Sequence, residues 1–184
     1  MKYKLLQQVL VAGTLLAGSA LAAGGSKTNL PVTDTDLAKN VQHKLLSYSN
    51  YGAFDEVNFQ VQNGQVLLSG EVTEPFKKSE MQNIAAKVPG VQGVTNNIQV
   101  LPFSDRDNRL RLEIAASIRR DPSLSRYETG TNPSIHILVD NGKVTLAGVV
   151  ATQSDKDGST LRAETAGLTL GSIVNNLQVP TPAT

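Results

Sequence analysis

The sequence predicts an α+β fold of two tandem α-β-β-α-β domains, each a three-stranded mixed sheet packed with two helices. Three observations predict it: a segment that occurs twice, a second repeated segment downstream of each copy, and an apolar helical stripe upstream of each. Val61-Gln62-Asn63-Gly64-Gln65-Val66-Leu67-Leu68-Ser69-Gly70-Glu71-Val72 returns as Val139-Asp140-Asn141-Gly142-Lys143-Val144-Thr145-Leu146-Ala147-Gly148-Val149-Val150. Val94-Thr95-Asn96-Asn97-Ile98-Gln99-Val100 returns as Ile173-Val174-Asn175-Asn176-Leu177-Gln178-Val179. The first match is offset by 78 residues (61 to 139) and the second by 79 (94 to 173), so the copies are collinear with one insertion between the matches.

Each copy opens with a helix. Leu37, Val41 and Leu45, and again Leu110, Ile114 and Ile118, fall at i, i+4 and i+8, which lines one face of a helix of about three turns. Asp34 or Asp36 stands where an N-cap is expected. Next come two apolar runs joined at Asn63-Gly64 and at Asn141-Gly142, the dipeptide suited to a two-residue type I′ turn because both central residues need positive φ. Ile135, Ile137 and Val139 alternate with His136 and Leu138 before the second turn.

Phe76, Met81, Ile84, Ala85 and Val88 space like a second amphipathic helix, ended by Pro89-Gly90. In the second copy Gly158 and Gly167 interrupt the pattern, leaving Leu161, Ala163, Ala166 and Leu168 as apolar surface, so that helix is expected to be shorter or more mobile. A third strand follows, over 93–100 and 172–179, closing a β-α-β crossover and a mixed sheet. The resulting boundaries are a signal peptide over 1–22, a first domain over 34–101, a linker over 102–108, a second domain over 109–179 and a tail over 180–184. Pro102 and Phe103 point to a linker that packs rather than flexes.

The N-terminus predicts export from the cytoplasm. Lys2 and Lys4 precede the apolar run Val9 to Ala17, and Ala20-Leu21-Ala22 has the small residues of a cleavage site, so cleavage after Ala22 is expected. The run is short of the roughly 20 apolar residues that span a bilayer. No cysteine occurs among the 184 residues, which excludes disulfides, thiol catalysis and an acylated lipoprotein N-terminus. Loss of Lys2 and Lys4 leaves fifteen basic against sixteen acidic residues, a net charge of −1, with no global field to hold nucleic acid.

With these repeats the chain resembles the BON-domain family. The carrying residues are Val66, Leu68, Gly70 and Val72, then Val88-Pro89-Gly90-Val91 and Val94 to Val100, and in the second copy Val144, Leu146, Gly148 and Val149, then Ile173 to Leu177. Copy two departs at Leu168-Thr169-Leu170-Gly171, where Pro-Gly is absent, which puts the turn into its last strand in question. The resemblance implies a periplasmic binding module like the two-domain, osmotically inducible envelope proteins. It implies contact with phospholipid surfaces or envelope partners, a role in envelope or osmotic stress, and no shared catalytic residues.

The residues themselves offer little catalytic chemistry. His43 and His136 lie in different repeats, so a metal site or a histidine-based triad would need both domains. The pairs Asp34/Asp36, Asp55/Glu56, Asp105/Asp107 and Asp155/Asp157 sit at caps and loops, where acids belong for structural reasons. No phosphate-binding loop appears, and no cofactor, catalytic residue or small-molecule substrate is expected. The repeated Asn63-Gly64 and Asn96-Asn97 are explained by turn and strand-entry chemistry.

One local feature remains. On a helical projection Leu112 and Ala116 fall opposite the core stripe, with Arg109, Arg119 and Arg120. A leucine among guanidinium groups suits an anionic headgroup boundary or an acidic partner. The following loop adds Arg126 and Tyr127. These six residues, without Ala116, are the candidate contact with an anionic phospholipid surface or an envelope protein; a solvated face with local pairs such as Glu113 with Arg109 is the plain alternative. A second functional class is a chaperone-like or scaffold protein that binds other proteins through sheet edges or an inter-domain surface.

Overall fold

Thr33 starts the first repeat by capping its helix, and much of the fold follows from such local polar devices repeated once per copy. The structure, a computed structural model, describes residues 33–130, 133–166 and 172–180. The signal peptide over 1–22, the turn at Leu168 to Gly171 and the tail beyond Pro180 lie outside the described residues.

The first repeat runs α1 (Asp34–Leu46), β1 (Glu56–Gln62), β2 (Gln65–Val72), α2 (Pro75–Ala86) and β3 (Gly93–Val100). The second runs α3 (Asp105–Arg120), a 3-10 turn (Ser125–Tyr127), β4 (Ile135–Asp140), β5 (Lys143–Gly148), α4 (Gln153–Thr165) and β6 (Ile173–Asn175). Each repeat holds one mixed sheet, ordered β1-β2-β3 and β4-β5-β6, antiparallel in the first pair and parallel in the second. Both hairpins turn at the expected dipeptide: Asn63 and Gly64 have φ of 50° and 74°, Asn141 and Gly142 of 49° and 80°.

The helices bury the predicted stripes. Leu37, Val41 and Leu45 join Val57, Phe59, Val61, Val66, Leu68, Met81, Ala85 and Ile98 in one core; Ile114 and Ile118 join Ile135, Ile137, Val144, Leu146, Ala163 and Leu177 in the other. Truncating one of these isoleucines or leucines to alanine would cost about 2–5 kcal/mol.

Several expectations are corrected. The cap of α1 is Thr33, whose Oγ1 accepts the Asp36 N–H and donates to Asp36 Oδ2, so neither Asp34 nor Asp36 is the cap. α3 begins at Asp105, capped by Ser104, inside the segment expected as linker. Phe103 is 83 % exposed, while Leu101 is buried and donates its N–H to Val72 O. Phe76 points outward from α2, because it lies off the face shared by Met81 and Ala85.

α4 is no shorter than α2: it has 13 residues against 12. The Thr152 hydroxyl caps it, Asp155, Ser159 and Ala163 are buried, and Gly158 sits beside Leu124 with room to spare, so packing and capping offset the glycine cost of about 1 kcal/mol. The last strand of copy two is brief, three residues with one further bridge between Val149 and Gln178.

Candidate functional site: the arginine face of α3 and the contact between the repeats

Two aspartates that read as helix-start acids turn out to hold the hairpins. Asp34 Oδ2 and Oδ1 accept the N–H groups of Asn63 and Gly64 at 2.6 and 2.9 Å; Asp107 Oδ2 and Oδ1 accept those of Asn141 and Gly142 at 2.9 and 3.0 Å. A carboxylate has two oxygens and a type I′ turn presents two adjacent amides, so each first helix is pinned to its own hairpin.

The repeated asparagines are structural too. Asn96 donates from Nδ2 to Lys78 O and accepts the Ile98 N–H on Oδ1; Asn175 donates to Lys156 O and accepts the Leu177 N–H. Each ties the last strand to the second helix.

Around these fixed points, α3 offers its outer face. Leu112 is 60 % exposed, and Arg109, Arg119 and Arg120 are exposed around it. None of the three arginines forms an ion pair among the described residues, the anticipated Glu113 with Arg109 pair included. The matching face of α1 is different: Leu112 corresponds to Lys39 and Arg109 to Asp36, both 73 residues earlier, and those two pair with each other at 3.5 Å.

Arg111 faces the other way. It is buried and donates to Asn108 Oδ1 and Val139 O, and burial holds its guanidinium pKa below the usual arginine value against the opposing charges of Asp107, Asp55 and Asp140. Its place on the inner face was available from the helical projection, about 20° from Ile118.

The structure separates the other two candidates from this face. Tyr127 is buried, its hydroxyl donating to Asp155 Oδ2 at 2.9 Å and accepting the Ala151 N–H at 2.8 Å. Arg126 pairs with the same carboxylate at 2.8 Å and lies over the Tyr127 ring at 4.9 Å, with its side chain half-exposed. Together they tie the loop after α3 to the start of α4. The first repeat solves the same problem with the charges exchanged: Lys77, the counterpart of Asp155, pairs with Asp55 of the loop at 2.7 Å.

No motif or periodicity marks the contact between the repeats. The loop before β1 lies along the outer edge of β4: Ile137 donates its N–H to Ala53 O at 2.7 Å, and Phe54 packs on the core of the second repeat. His136, 1 % exposed, lies with its Nδ1 3.3 Å from Gly52 O, its Nε2 3.7 Å from Glu56 Oε2, and its ring 5.5 Å from that of Tyr51. This explains why every residue of β4 but the last is buried. Beside the contact, a cleft of about 360 Å³ is lined from both repeats by Glu56, Asn58, Glu71, Leu138, Asn176 and Gln178 among others.

His43 lies exposed on α1 and His136 is buried between the repeats, so the two imidazoles are not brought together. Among the described residues no group of three or more His, Cys, Asp or Glu is placed to hold a metal ion, and no helix is long and apolar enough to cross a membrane.

The BON domain profile matches the chain twice, over residues 33–102 and 106–180. No curated protein matches it. Among solved structures, CdsD, a structural protein of the type III secretion system of Chlamydia trachomatis, is similar at 15% identity over 80% of this chain and 94% of that one, with a TM-score of 0.29. The C-terminal domain of CdsD is similar at 14% identity over 82% and 100%, with a TM-score of 0.31. Likeness at that level has no bearing on partners or activity.

Proposed function

The chain belongs to the BON-domain family, whose members are non-catalytic and associated with phospholipid and envelope binding, and from that premise we propose that it is an exported, non-enzymatic module that docks reversibly on anionic phospholipid through the outer face of α3. The observation that carries the reading is Leu112, 60 % exposed among three exposed arginines that form no ion pair among the described residues, with Glu128 acting on Arg119 only through its charge. Guanidinium forks bind phosphate oxygens bidentately, and each cation near an anionic surface adds about 1 kcal/mol. Leu112 adds apolar burial at the headgroup boundary. The first repeat, whose matching face pairs Asp36 with Lys39, supplies structure rather than a second docking face. The N-terminal residues, read as a signal peptide, and the BON family together support a periplasmic location, and envelope maintenance or protection under osmotic and envelope stress is the role such a module fits.

Liposome flotation tests the reading. The parent is expected to float only with anionic lipid and to be released as salt rises. A folded Arg109→Glu, Arg119→Glu, Arg120→Glu triple variant is expected to stay in the soluble fraction; equal flotation by parent and variant would overturn the proposal.

The protein-partner reading through sheet edges has less support. The outer edge of β4 is occupied by Ala53, and the Ile98 and Leu177 amides of the opposite edges are taken by Asn96 and Asn175. Binding that resists high salt would favour it nonetheless.

A further inference from the structure

We propose that Glu56 and His136 share one proton across the contact between the repeats, so that docking of the first repeat on the β4 edge of the second is proton-coupled. The geometry fixes where that proton must lie. Gly52 O can only accept, so His136 Nδ1, 3.3 Å away, is the nitrogen that carries hydrogen. In the neutral ring Nε2 is then a bare acceptor, and it faces a second acceptor, Glu56 Oε2, at 3.7 Å. Both atoms are buried and neither has another hydrogen-bond partner among the described residues.

Two lone pairs facing each other out of water repel and leave two polar groups unsatisfied. One proton removes both penalties: on Nε2 it makes an ion pair with the carboxylate, and on Oε2 it makes an O–H donor to the imidazole. A second proton would leave a buried cation beside a neutral acid.

Asn58 hydrogen-bonds the Glu56 carboxylate, but Oε2 itself and His136 Nε2 stay without a partner among the described residues. Tyr51 lies against the imidazole, but its hydroxyl accepts the Val57 N–H and burial keeps its pKa far above the usual tyrosine value, so it stays protonated. Asp55 is engaged by Lys77 and Thr73, and Arg111 by Asn108 and Val139 O. Glu71, directly across the strand pair from Glu56, adds a like charge, and Ala147 and Gly148 on β5 are not titratable. Burial raises the Glu56 carboxyl pKa, and His136 opposes that rise, as expected of a site that retains a proton.

The sign of the coupling follows. Separated, a glutamate carboxyl titrates near ~4.3. Docked, burial raises the Glu56 carboxyl pKa, so the contribution of the held proton is fully present below about 4.3 and is lost as pH rises through the raised, docked value.

The test is amide hydrogen exchange at Ile137, whose N–H bonds Ala53 O across the contact, in the full chain and in Glu56→Gln. The glutamine amide donates to Nε2 at any pH. The Ile137 protection factor is expected to fall as pH rises from about 4.5 to about 8.5 in the parent and to change much less in Glu56→Gln. Protection that is flat with pH in the parent, or equally steep in Glu56→Gln, overturns the proposal. Ring nitrogen shifts of His136 in the parent give a reading that needs no variant: a protonated Nδ1 at alkaline pH is expected, and a bare Nδ1 overturns it.

Discussion

Asp107 shows how much a single side chain can do in this fold. It is buried, and its two oxygens take both turn amides of the second hairpin, whereas Asp34 makes the same bonds near the surface. Asp107→Ala is expected to cost about 2–3 kcal/mol, because the turn amides lose a charged acceptor and Arg111 a neighbouring countercharge; Asp34→Ala should cost about half as much, since water replaces the carboxylate there. Urea denaturation of the two variants checks the order. Glu128 carries a different kind of signal. Burial pushes its carboxyl up to about 7, with Arg119 opposing. A carboxyl raised on folding brings no penalty below about 4.3, the unfolded value, and a growing one as pH rises to about 7. Thermal stability should therefore drop across that window, and Glu128→Gln should show a smaller drop than the parent; identical melting profiles against pH would show that Glu128 is solvated.

Among the elements, the strand pairs carry their own irregularity. Gly70 and Gly148 have φ of 117° and 106°, and a Cβ would stand 2.1 Å from Glu56 O and 2.2 Å from Ser134 O. Both glycines thus let the second strand cross the start of the first with backbone against backbone. Gly148→Ala combines left-handed strain with a clash against a fixed carbonyl, so a loss of at least about 2 kcal/mol is expected, measured as a lower denaturation midpoint at unchanged slope. The exchanged polarity of Lys77 with Asp55 and Arg126 with Asp155 belongs to this scale as well. A loop must be tied to the start of the second helix, and either sign of charge on the helix will do it if the loop supplies the other.

For the whole molecule, the question is whether two repeats make one cooperative unit. Phe54 leaves its own repeat to pack on the core of the other, and Ala53 adds a strand-edge hydrogen bond beside it. Phe54→Ala is expected to split a single calorimetric unfolding transition into two, one per repeat, without preventing either from folding. A single transition in the variant, merely shifted, would mean that the remaining contacts couple the repeats on their own. Rigid coupling also bears on docking, because it fixes the first repeat relative to the arginine face of α3.

The duplication, the order of elements, the Asn-Gly turns, the two core stripes and the outward placement of Leu112 with Arg109, Arg119 and Arg120 are all legible in the amino-acid order alone. All of these rest on periodicity or on turn chemistry, which are local. The role of Asp34 and Asp107 was half legible: their repetition was visible, but an acid at a helix start looks like a cap until the hairpin amides are brought beside it. Tyr127 and Arg126 looked like surface residues for the same reason, since only the fold supplies Asp155 from 28 or 29 residues away. The burial of His136 opposite Glu56 left no trace in the pattern at all. A strand's alternation says which residues share a face, but what covers the second face depends on a loop from the other repeat, and that is decided by tertiary packing alone.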